Sequence, residues 1–141
     1  MDKTIVWRLH TASPPQRIWE LLTTDEGRER FWVERSQSHG DLFTLTFGMG
    51  ISGESLILEA AAPALFAFTY FGTEVRIELE GDGSGGTDLT LTNSRVPEAE
   101  YEDMLPGWLN VLLPLKAAAD FGVDLRNHDP QRTWRERYVD Q

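Results

Sequence analysis

The chain has 141 residues and no cysteine. This absence excludes a disulfide framework, a thiolate nucleophile and a cysteine-ligated metal site. The sequence also lacks an apolar run of about 18 residues, which a membrane-spanning helix would need. The opening Met-Asp-Lys-Thr-Ile-Val-Trp-Arg carries charges in its apolar stretch, unlike a signal peptide. We therefore expect a cytoplasmic protein with no membrane span.

Positive charge is scarce as well, because the formal net charge is −10 at pH 7. Nucleic acids and anionic membranes would repel such a chain, so we expect neither as a partner. The length fits one domain with a single core. We expect a monomer or a weak dimer.

Signals for metal or covalent chemistry are weak. His10, His39 and His128 are far apart in sequence, and no two of them have the spacing of helical metal ligands. We therefore predict no metal and no cofactor. A Gly-x-Ser-x-Gly nucleophile elbow is missing too. The glycine-rich segment Gly81–Gly86 precedes a strand pattern rather than a helix, so it indicates a hairpin connection rather than a phosphate-binding loop.

Alternation of apolar and polar residues predicts six strands. Their ranges are Thr4–Thr11, Leu42–Phe47, Glu54–Ala61, Leu65–Phe71, Thr73–Glu80 and Thr87–Asn93. The clearest pattern places Val75, Ile77 and Leu79 on the core face of one strand. The nearly continuous apolar run Leu65–Phe71 is typical of a strand buried on both sides.

Helical periodicity flanks these strands. Ser13 is a candidate cap for a first short helix, and Thr24 or Asp25 begins a second one that carries Phe31 and Trp32. From Pro97 onward, apolar residues recur at steps of three and four and predict one long buried helix. They are Leu105, Trp108, Leu112, Leu115 and Ala119. Pro114 predicts a kink or a register break in this helix.

A few polar residues interrupt the apolar patterns. Glu54 would face the core if Leu56 and Leu58 do, although it would equally fit an exposed strand end. Tyr70 and Asn93 would either orient a ligand or satisfy the backbone at a sheet end. The candidate acids and bases are Glu54, Tyr70 and His128, but no catalytic set is defined by them. Trp134 and Tyr138, near the C-terminus, are predicted to cover a sheet edge or a cavity mouth.

Four segments resemble the START-related (SRPBCC) superfamily. Ala12–Leu22 is similar to its "A-s-p-e-x-V-W-x-x-L" opening, and Phe31-Trp32 to the aromatics of its short helices. Gly86–Leu91 resembles its "G-T-x-L-T-L" strand, and Pro106–Leu109 the "G-W" before its last helix. Within the superfamily, the pattern resembles the branch that contains the C-terminal domain of the activator of the heat-shock protein 90 ATPase. The resemblance covers the chain to about Leu125.

The resemblance implies an α+β helix-grip fold, in which a long C-terminal helix lies across a curved antiparallel sheet of six or seven strands. Two short helices follow the first strand. Residues 1–126 would form this domain, and residues 127–141 would be a tail that packs on it. Relatives bind lipids or other apolar molecules in the cavity under the helix, and some are enzymes.

Three functions follow as expectations. The first is a binding or carrier domain for a small apolar or amphipathic ligand in a cavity between sheet and helix. The alternatives are a chaperone partner, as for the ATPase activator, and a cyclase- or hydrolase-type enzyme acting in the same cavity. Alternation assigns the cavity wall to the apolar residues Phe43, Phe47, Phe66, Phe68, Tyr70, Ile77, Leu91, Trp108, Leu112 and Leu115.

Overall fold

A computed structural model describes residues 1–141, in which seven strands precede a C-terminal helical layer. The strands are β1 (Asp2–Thr11), β2 (Arg35–His39), β3 (Leu42–Thr46), β4 (Ser52–Ala61), β5 (Leu65–Tyr70), β6 (Thr73–Gly81) and β7 (Thr87–Pro97). The α-helices are α1 (Pro15–Thr23), α2 (Asp25–Glu29), α3 (Glu98–Gly107) and α4 (Leu109–Lys116). A π-helical turn spans Ala117–Phe121, and a 3₁₀ turn spans Trp134–Glu136. None of these helices is long and apolar enough to cross a bilayer.

The seven strands form one antiparallel sheet in the order β1-β7-β6-β5-β4-β3-β2. Strands β2 to β7 follow one another as a meander, and β1 pairs with the far edge of β7. The six predicted strands are confirmed, with shifts at their ends. The additional strand β2 has the sequence RSQSH and only one buried residue, Ser36. Its polar sequence gave no alternation signal, and its pairing with β3 keeps it in the sheet.

The concave face of the sheet carries the core. Ile77 lies opposite Leu91 and Leu79 opposite Leu89, and all four side chains are buried, which confirms the core face predicted for Ile77 and Leu79. Register shifts occur in β1, between Lys3 and Ile5, and in β4, between Ile57 and Glu59. Such irregularities bend strands and increase their twist. The sheet therefore curves around the helices on its inner face.

The face of strand β4 that packs on the core is the opposite of the one considered from the sequence, in which Leu56 and Leu58 would face inward. Leu56 and Leu58 are 43% and 47% exposed, whereas Ser55 is buried opposite Phe43 of β3. Because side chains alternate along a strand, Glu54 shares the outer face with the two leucines. The conditional prediction of an inward Glu54 is therefore wrong, and its alternative, an exposed position, is confirmed.

The C-terminal layer is a segmented helix. The chain turns at Trp108 between α3 and α4, two residues after Pro106, and α4 then continues through Pro114. Proline has no N–H group, so each of these positions removes one bond from the helical ladder. The register break predicted near Pro114 occurs just beyond it, where the π-helical turn begins. Trp108, Leu112 and Leu115 are buried on one face, as the periodicity predicted.

Candidate functional site

A cavity of about 400 Å³ opens between the C-terminal helices and the end of the sheet where β5 turns into β6. Fifteen residues line it, ten of them hydrophobic. They are Trp32, Phe47, Met49, Ile51, Tyr70, Phe71, Glu100, Asp103, Met104, Gly107, Trp108, Asn110, Val111, Trp134 and Gln141. The volume and the apolar lining are those of small-molecule sites in proteins.

Three aromatic side chains form the inner wall of the cavity. The ring centroids of Tyr70 and Trp108 are 4.9 Å apart, and those of Trp32 and Tyr70 are 5.8 Å apart. Trp32 and Trp108 complete the triangle at 6.2 Å. Contacts at these distances are favourable for aromatic pairs, so the three rings support one another as a rigid surface.

A buried polar chain fixes Trp108 to the sheet. Its indole N–H donates to Asn93 Oδ1 at 2.9 Å, and Asn93 Nδ2 donates to Thr73 Oγ1 at 2.8 Å and to the Glu74 carbonyl at 3.1 Å. The Thr73 hydroxyl in turn donates to the Tyr70 carbonyl at 2.6 Å. Asn93 is fully buried. Of the two predictions for Asn93, satisfying polar groups at the sheet end is therefore the one that its contacts show.

The rim of the cavity contains a tight two-residue turn between β5 and β6. Phe71 and Gly72 both have positive φ values, 48° and 77°, as a type I′ hairpin turn requires. This conformation is unfavourable for a bulky residue such as Phe71. The Phe71 ring packs 5.9 Å from that of Phe47, and it lies so close to Gly53 that a Cβ there would be 2.8 Å away. Gly53 thus makes room for an aromatic rim.

Some of the polar groups around the cavity have no hydrogen-bond partner. The Trp32 indole N–H and the Asn110 side-chain amide are buried and have no hydrogen-bond partner. The carboxylates of Glu100 and Asp103 lie in the same lining, which includes no lysine, arginine or histidine. The wall therefore combines apolar rings, negative charge and two free hydrogen-bond donors.

Tyr70 is present in the cavity as a neutral phenol. Burial raises the pKa of its hydroxyl to about 12, because the phenolate would lose its hydration. The neighbouring Trp32 indole N–H acts against burial and lowers this pKa, although it does not meet hydrogen-bond geometry with any acceptor. Tyr70 can therefore donate or accept a hydrogen bond, but it does not supply a base at neutral pH.

The C-terminal tail closes one side of the cavity with Trp134 and Gln141. Arg126 anchors the tail by donating to the carbonyls of Val33 at 2.8 Å and Glu29 at 2.6 Å. Thr133 is buried, and a capping box with Glu136 begins the 3₁₀ turn that carries Trp134. The predicted position of Trp134 at the cavity mouth agrees with this arrangement, whereas Tyr138 does not line the cavity.

His128 holds the tail from a second, smaller cleft of about 140 Å³. Its Nδ1 lies 2.7 Å from Glu34 Oε1, and its Nε2 lies 2.7 Å from Asp124 Oδ2. The hydrogen bond with Asp124 raises the pKa of His128, and Glu34 adds to the effect, although burial opposes it. Burial alone would raise the pKa of Asp124, but hydrogen bonds from Arg126 and His128 lower it to about 2.

The ten residues predicted as the cavity wall divide into two groups. Phe47, Tyr70 and Trp108 line the cavity. The other seven pack in the core cluster instead: Phe43, Phe66, Phe68, Ile77, Leu91, Leu112 and Leu115. Their exposed fractions are between 0% and 3%. Alternation identified the inward face correctly but could not tell where along that face the packing ends.

The three candidate acids and bases do not share a site. Tyr70 lies in the large cavity, His128 lines the smaller cleft, and Glu54 lies on the outer face of the sheet. Sequence reasoning missed several lining residues because they lie outside regular strands. Met49 and Ile51 are in the β3–β4 connection, and Phe71 is in a turn. Their one signal in the sequence is an apolar residue next to glycine, as at Gly48, Gly50 and Gly72.

Residues 12–120 match the family described as activator of Hsp90 ATPase homolog 1-like protein. None of the curated proteins compared with the chain matches it. The family match confirms the resemblance noted from the sequence motifs.

Solved structures share the fold. A protein of Staphylococcus saprophyticus is 23% identical with a TM-score of 0.77, and the match covers 88% of this chain and 96% of that one. The Aha1 dimer of Colwellia psychrerythraea is 22% identical with a TM-score of 0.77, covering 85% and 98%. CalU16 of Micromonospora echinospora is 22% identical with a TM-score of 0.64, covering 79% and 72%. The predicted helix-grip fold is thus confirmed.

Proposed function

The chain belongs to the activator of Hsp90 ATPase homolog 1-like family, and from that premise we propose that it binds a small apolar or amphipathic ligand. The ligand would occupy the cavity between the sheet and helices α3 and α4. The single observation that carries this proposal is the cavity of about 400 Å³ lined by Trp32, Tyr70 and Trp108. The proposed site of action is the cytoplasm, and the absence of cysteine from the chain supports this part of the proposal.

Apolar contact supplies the affinity in this proposal. Removing apolar surface from water contributes roughly 25 cal/mol per Å² buried. A ligand that covers about 200 Å² of apolar surface would gain roughly 5 kcal/mol before the cost of association. Because the aromatic wall is held by the Asn93 network, the site needs little reordering when a ligand enters, and less of that gain is lost.

The tail is part of the same proposal. We assign residues 127–141 to the domain formed by residues 1–126, because Trp134 completes the cavity and His128 contacts Glu34. A ligand would then contact both the helices and the tail, and its binding would order the tail further.

A substitution that fills the cavity tests the proposal directly. Gly107 lines the cavity, and a Cβ at this position would meet no atom within 4 Å. Gly107→Leu should therefore occupy ligand space without strain. Gly81→Leu is the matched control, because Gly81 also has open space around it but lies at the exposed end of β6.

The measurement is a titration with N-phenyl-1-naphthylamine, an uncharged apolar fluorophore. We expect saturable fluorescence enhancement by the natural chain, affinity at least about tenfold weaker for Gly107→Leu, and no change for Gly81→Leu. Native mass spectrometry of the purified protein would show whether a natural ligand accompanies it. Equal binding by the two variants would contradict the proposed site.

A chaperone partner is the second candidate, and the family description favours it. The outer face of α4 offers an apolar stripe in Leu109 and Leu113, which are 37% and 54% exposed. If this stripe contacts an Hsp90-type ATPase, the natural chain should stimulate ATP hydrolysis and Leu113→Glu should not. Gly107→Leu would retain the stimulation, which separates this function from ligand binding.

A further inference from the structure

Two buried side-chain hydrogen-bond donors in the molecule have no partner, and both belong to residues of the cavity lining. They are the Trp32 indole N–H and the Asn110 side-chain amide. The Trp32 side chain is 95% buried, since its residue exposure is 5%. A buried polar group without a partner costs free energy and is uncommon in folded proteins, so each such group needs an explanation.

Comparison with other tryptophans shows that the Trp32 donor is exceptional. The Trp7 indole N–H donates to the Leu105 carbonyl at 2.9 Å, and that of Trp108 donates to Asn93 at 2.9 Å. The fold thus supplies acceptors for two indole groups under the same helices. At Trp32, the ring is fixed by Phe31, Phe68 and the aromatic wall. Its N–H lies near the Tyr70 hydroxyl but has no acceptor at hydrogen-bond geometry.

The charges in the lining limit what the acceptor can be. Glu100 and Asp103 are acidic, and none of the fifteen lining residues is basic. A carboxylate or phosphate entering this cavity would lose hydration and meet like charge without a compensating cation. A carbonyl, ether or hydroxyl oxygen avoids both penalties and can accept from an indole or an amide.

We propose that Trp32 Nε1 and the Asn110 amide recognise an uncharged hydrogen-bond acceptor on an apolar, ring-containing ligand. This inference rests on the proposed function and adds the class of ligand that the site selects. The flat rings of Trp32, Tyr70 and Trp108 bind the ligand body. The two donors set its orientation, because one end of the ligand must present oxygen to them. The acidic lining excludes anions of the same shape.

Three naphthalene probes of nearly equal size separate the effects of apolar contact, hydrogen bonding and charge on binding. They are 2-acetylnaphthalene, which has a neutral acceptor, 2-ethylnaphthalene, which has none, and 2-naphthoate, which is an anion. Isothermal titration calorimetry gives their dissociation constants without using the tryptophan signal. We expect the ketone to bind about three- to tenfold more tightly than the hydrocarbon, the value of one net hydrogen bond. The anion should bind most weakly.

Variants assign the effect to the two donors. Trp32→Phe removes the N–H but keeps an aromatic ring, and it should reduce the advantage in affinity of the ketone over the hydrocarbon. Asn110→Leu removes the second donor and should also reduce the difference in dissociation constant between the two neutral probes. Trp19→Phe is the control, because Trp19 packs on Phe66 and does not line the cavity. Thermal unfolding checks that each variant is folded, and Asn110→Leu carries the test if Trp32→Phe is not.

Each outcome is informative. If both neutral probes bind equally to the natural chain, or if Trp32→Phe and Asn110→Leu weaken both probes alike, polar recognition is overturned while the apolar site stands. If 2-naphthoate binds as tightly as the ketone, the exclusion of anions is wrong. If no probe binds and N-phenyl-1-naphthylamine also fails, the proposed function fails together with this inference.

Discussion

The interface between sheet and helices has a filled end and a hollow end. At the filled end, near the β6–β7 hairpin, Leu79, Leu89 and Leu115 are almost completely buried and pack with Ile18 of α1. At the hollow end, near the β5–β6 turn, Trp32, Tyr70 and Trp108 surround the cavity. The helical layer contributes to both ends, but the strand residue among these three at the hollow end, Tyr70, belongs to β5 rather than to β6 or β7.

The difference between the two ends lies in how the helical layer meets the sheet. At the filled end, Asp120 accepts from the backbone amides of Ala12 and Ser13 at 2.9 and 3.0 Å, which ties the helical layer to the start of α1. At the hollow end, the Trp108 indole N–H donates to Asn93 of β7, and the cavity lies beside this contact. A fold of this kind therefore controls its cavity through a few large side chains and their hydrogen bonds.

The largest contrast should come from truncating apolar side chains of the helical layer at each end. Leu115→Ala removes a fully buried side chain and should lower the free energy of unfolding by about 3 kcal/mol. Met104→Ala, in the cavity wall, should cost about 1 kcal/mol or less, because it borders space that is already empty. Urea unfolding measures both. Equal losses would mean that the hollow end is packed like the core.

A second contrast compares two asparagines. Asn93→Leu leaves the Trp108 N–H without its acceptor and should destabilise the fold by about 2–3 kcal/mol. Asn110→Leu replaces an amide that has no partner, so stability should change by less than about 0.5 kcal/mol or increase. Thermal and urea unfolding of the two variants tests this. A strong loss for Asn110→Leu would show that its amide is satisfied in solution.

The smallest effect concerns the tail and depends on pH. The pKa of His128 is raised in the folded chain. The stabilisation of the tail by His128 is therefore fully present below the ordinary pKa of histidine, and it is lost as pH rises through the pKa in the folded chain. Asp124 has the opposite dependence on pH. Its stabilisation of the tail is present above the ordinary pKa of aspartate and is lost as pH falls toward the folded pKa of about 2. Tail attachment should therefore weaken in alkaline solution and in strong acid.

Hydrogen exchange of the Asn127 amide, which donates to the Asp140 carbonyl, reports on this attachment. Its protection factor should fall as pH rises above the ordinary pKa of histidine in the natural chain, and it should fall less in His128→Gln. His39→Gln is the control, because the ring of His39 forms no ion pair and lies at the exposed end of β2. Unchanged protection in the natural chain would show that His128 does not hold the tail.

Sequence reasoning reached the elements whose signal is periodic. Val75, Ile77, Leu79, Leu89 and Leu91 alternate clearly because one face of β6 and β7 is buried, and the prediction for them is confirmed. It missed β2, where the strand Arg35–His39 is held by ladder pairing and not by an apolar face. In β4 it considered the wrong face for Leu56 and Leu58, since Leu56, Ile57 and Leu58 are all apolar and the sequence does not show which face is inward.

Only part of the candidate site could be predicted from the sequence. Phe47, Tyr70 and Trp108 were predicted because they are large and lie on inward positions. Trp32 was predicted as an aromatic residue of the second short helix, and nothing in its local sequence indicates that its N–H lacks a partner. Trp134 is separated from Trp32 by about a hundred positions in the chain, so their common position at the cavity depends on how the tail folds back.

The sequence by itself determined the secondary structure pattern, the inward face of most strands and the family, because these depend on local periodicity and short motifs. The tertiary structure alone decided where the core ends and the cavity begins. That boundary depends on where the contact between Trp108 and Asn93 joins the helical layer to the sheet, and on the contacts of Arg126 and His128 that hold the returning tail. Such distances arise from contacts between segments remote in sequence, which no local pattern records.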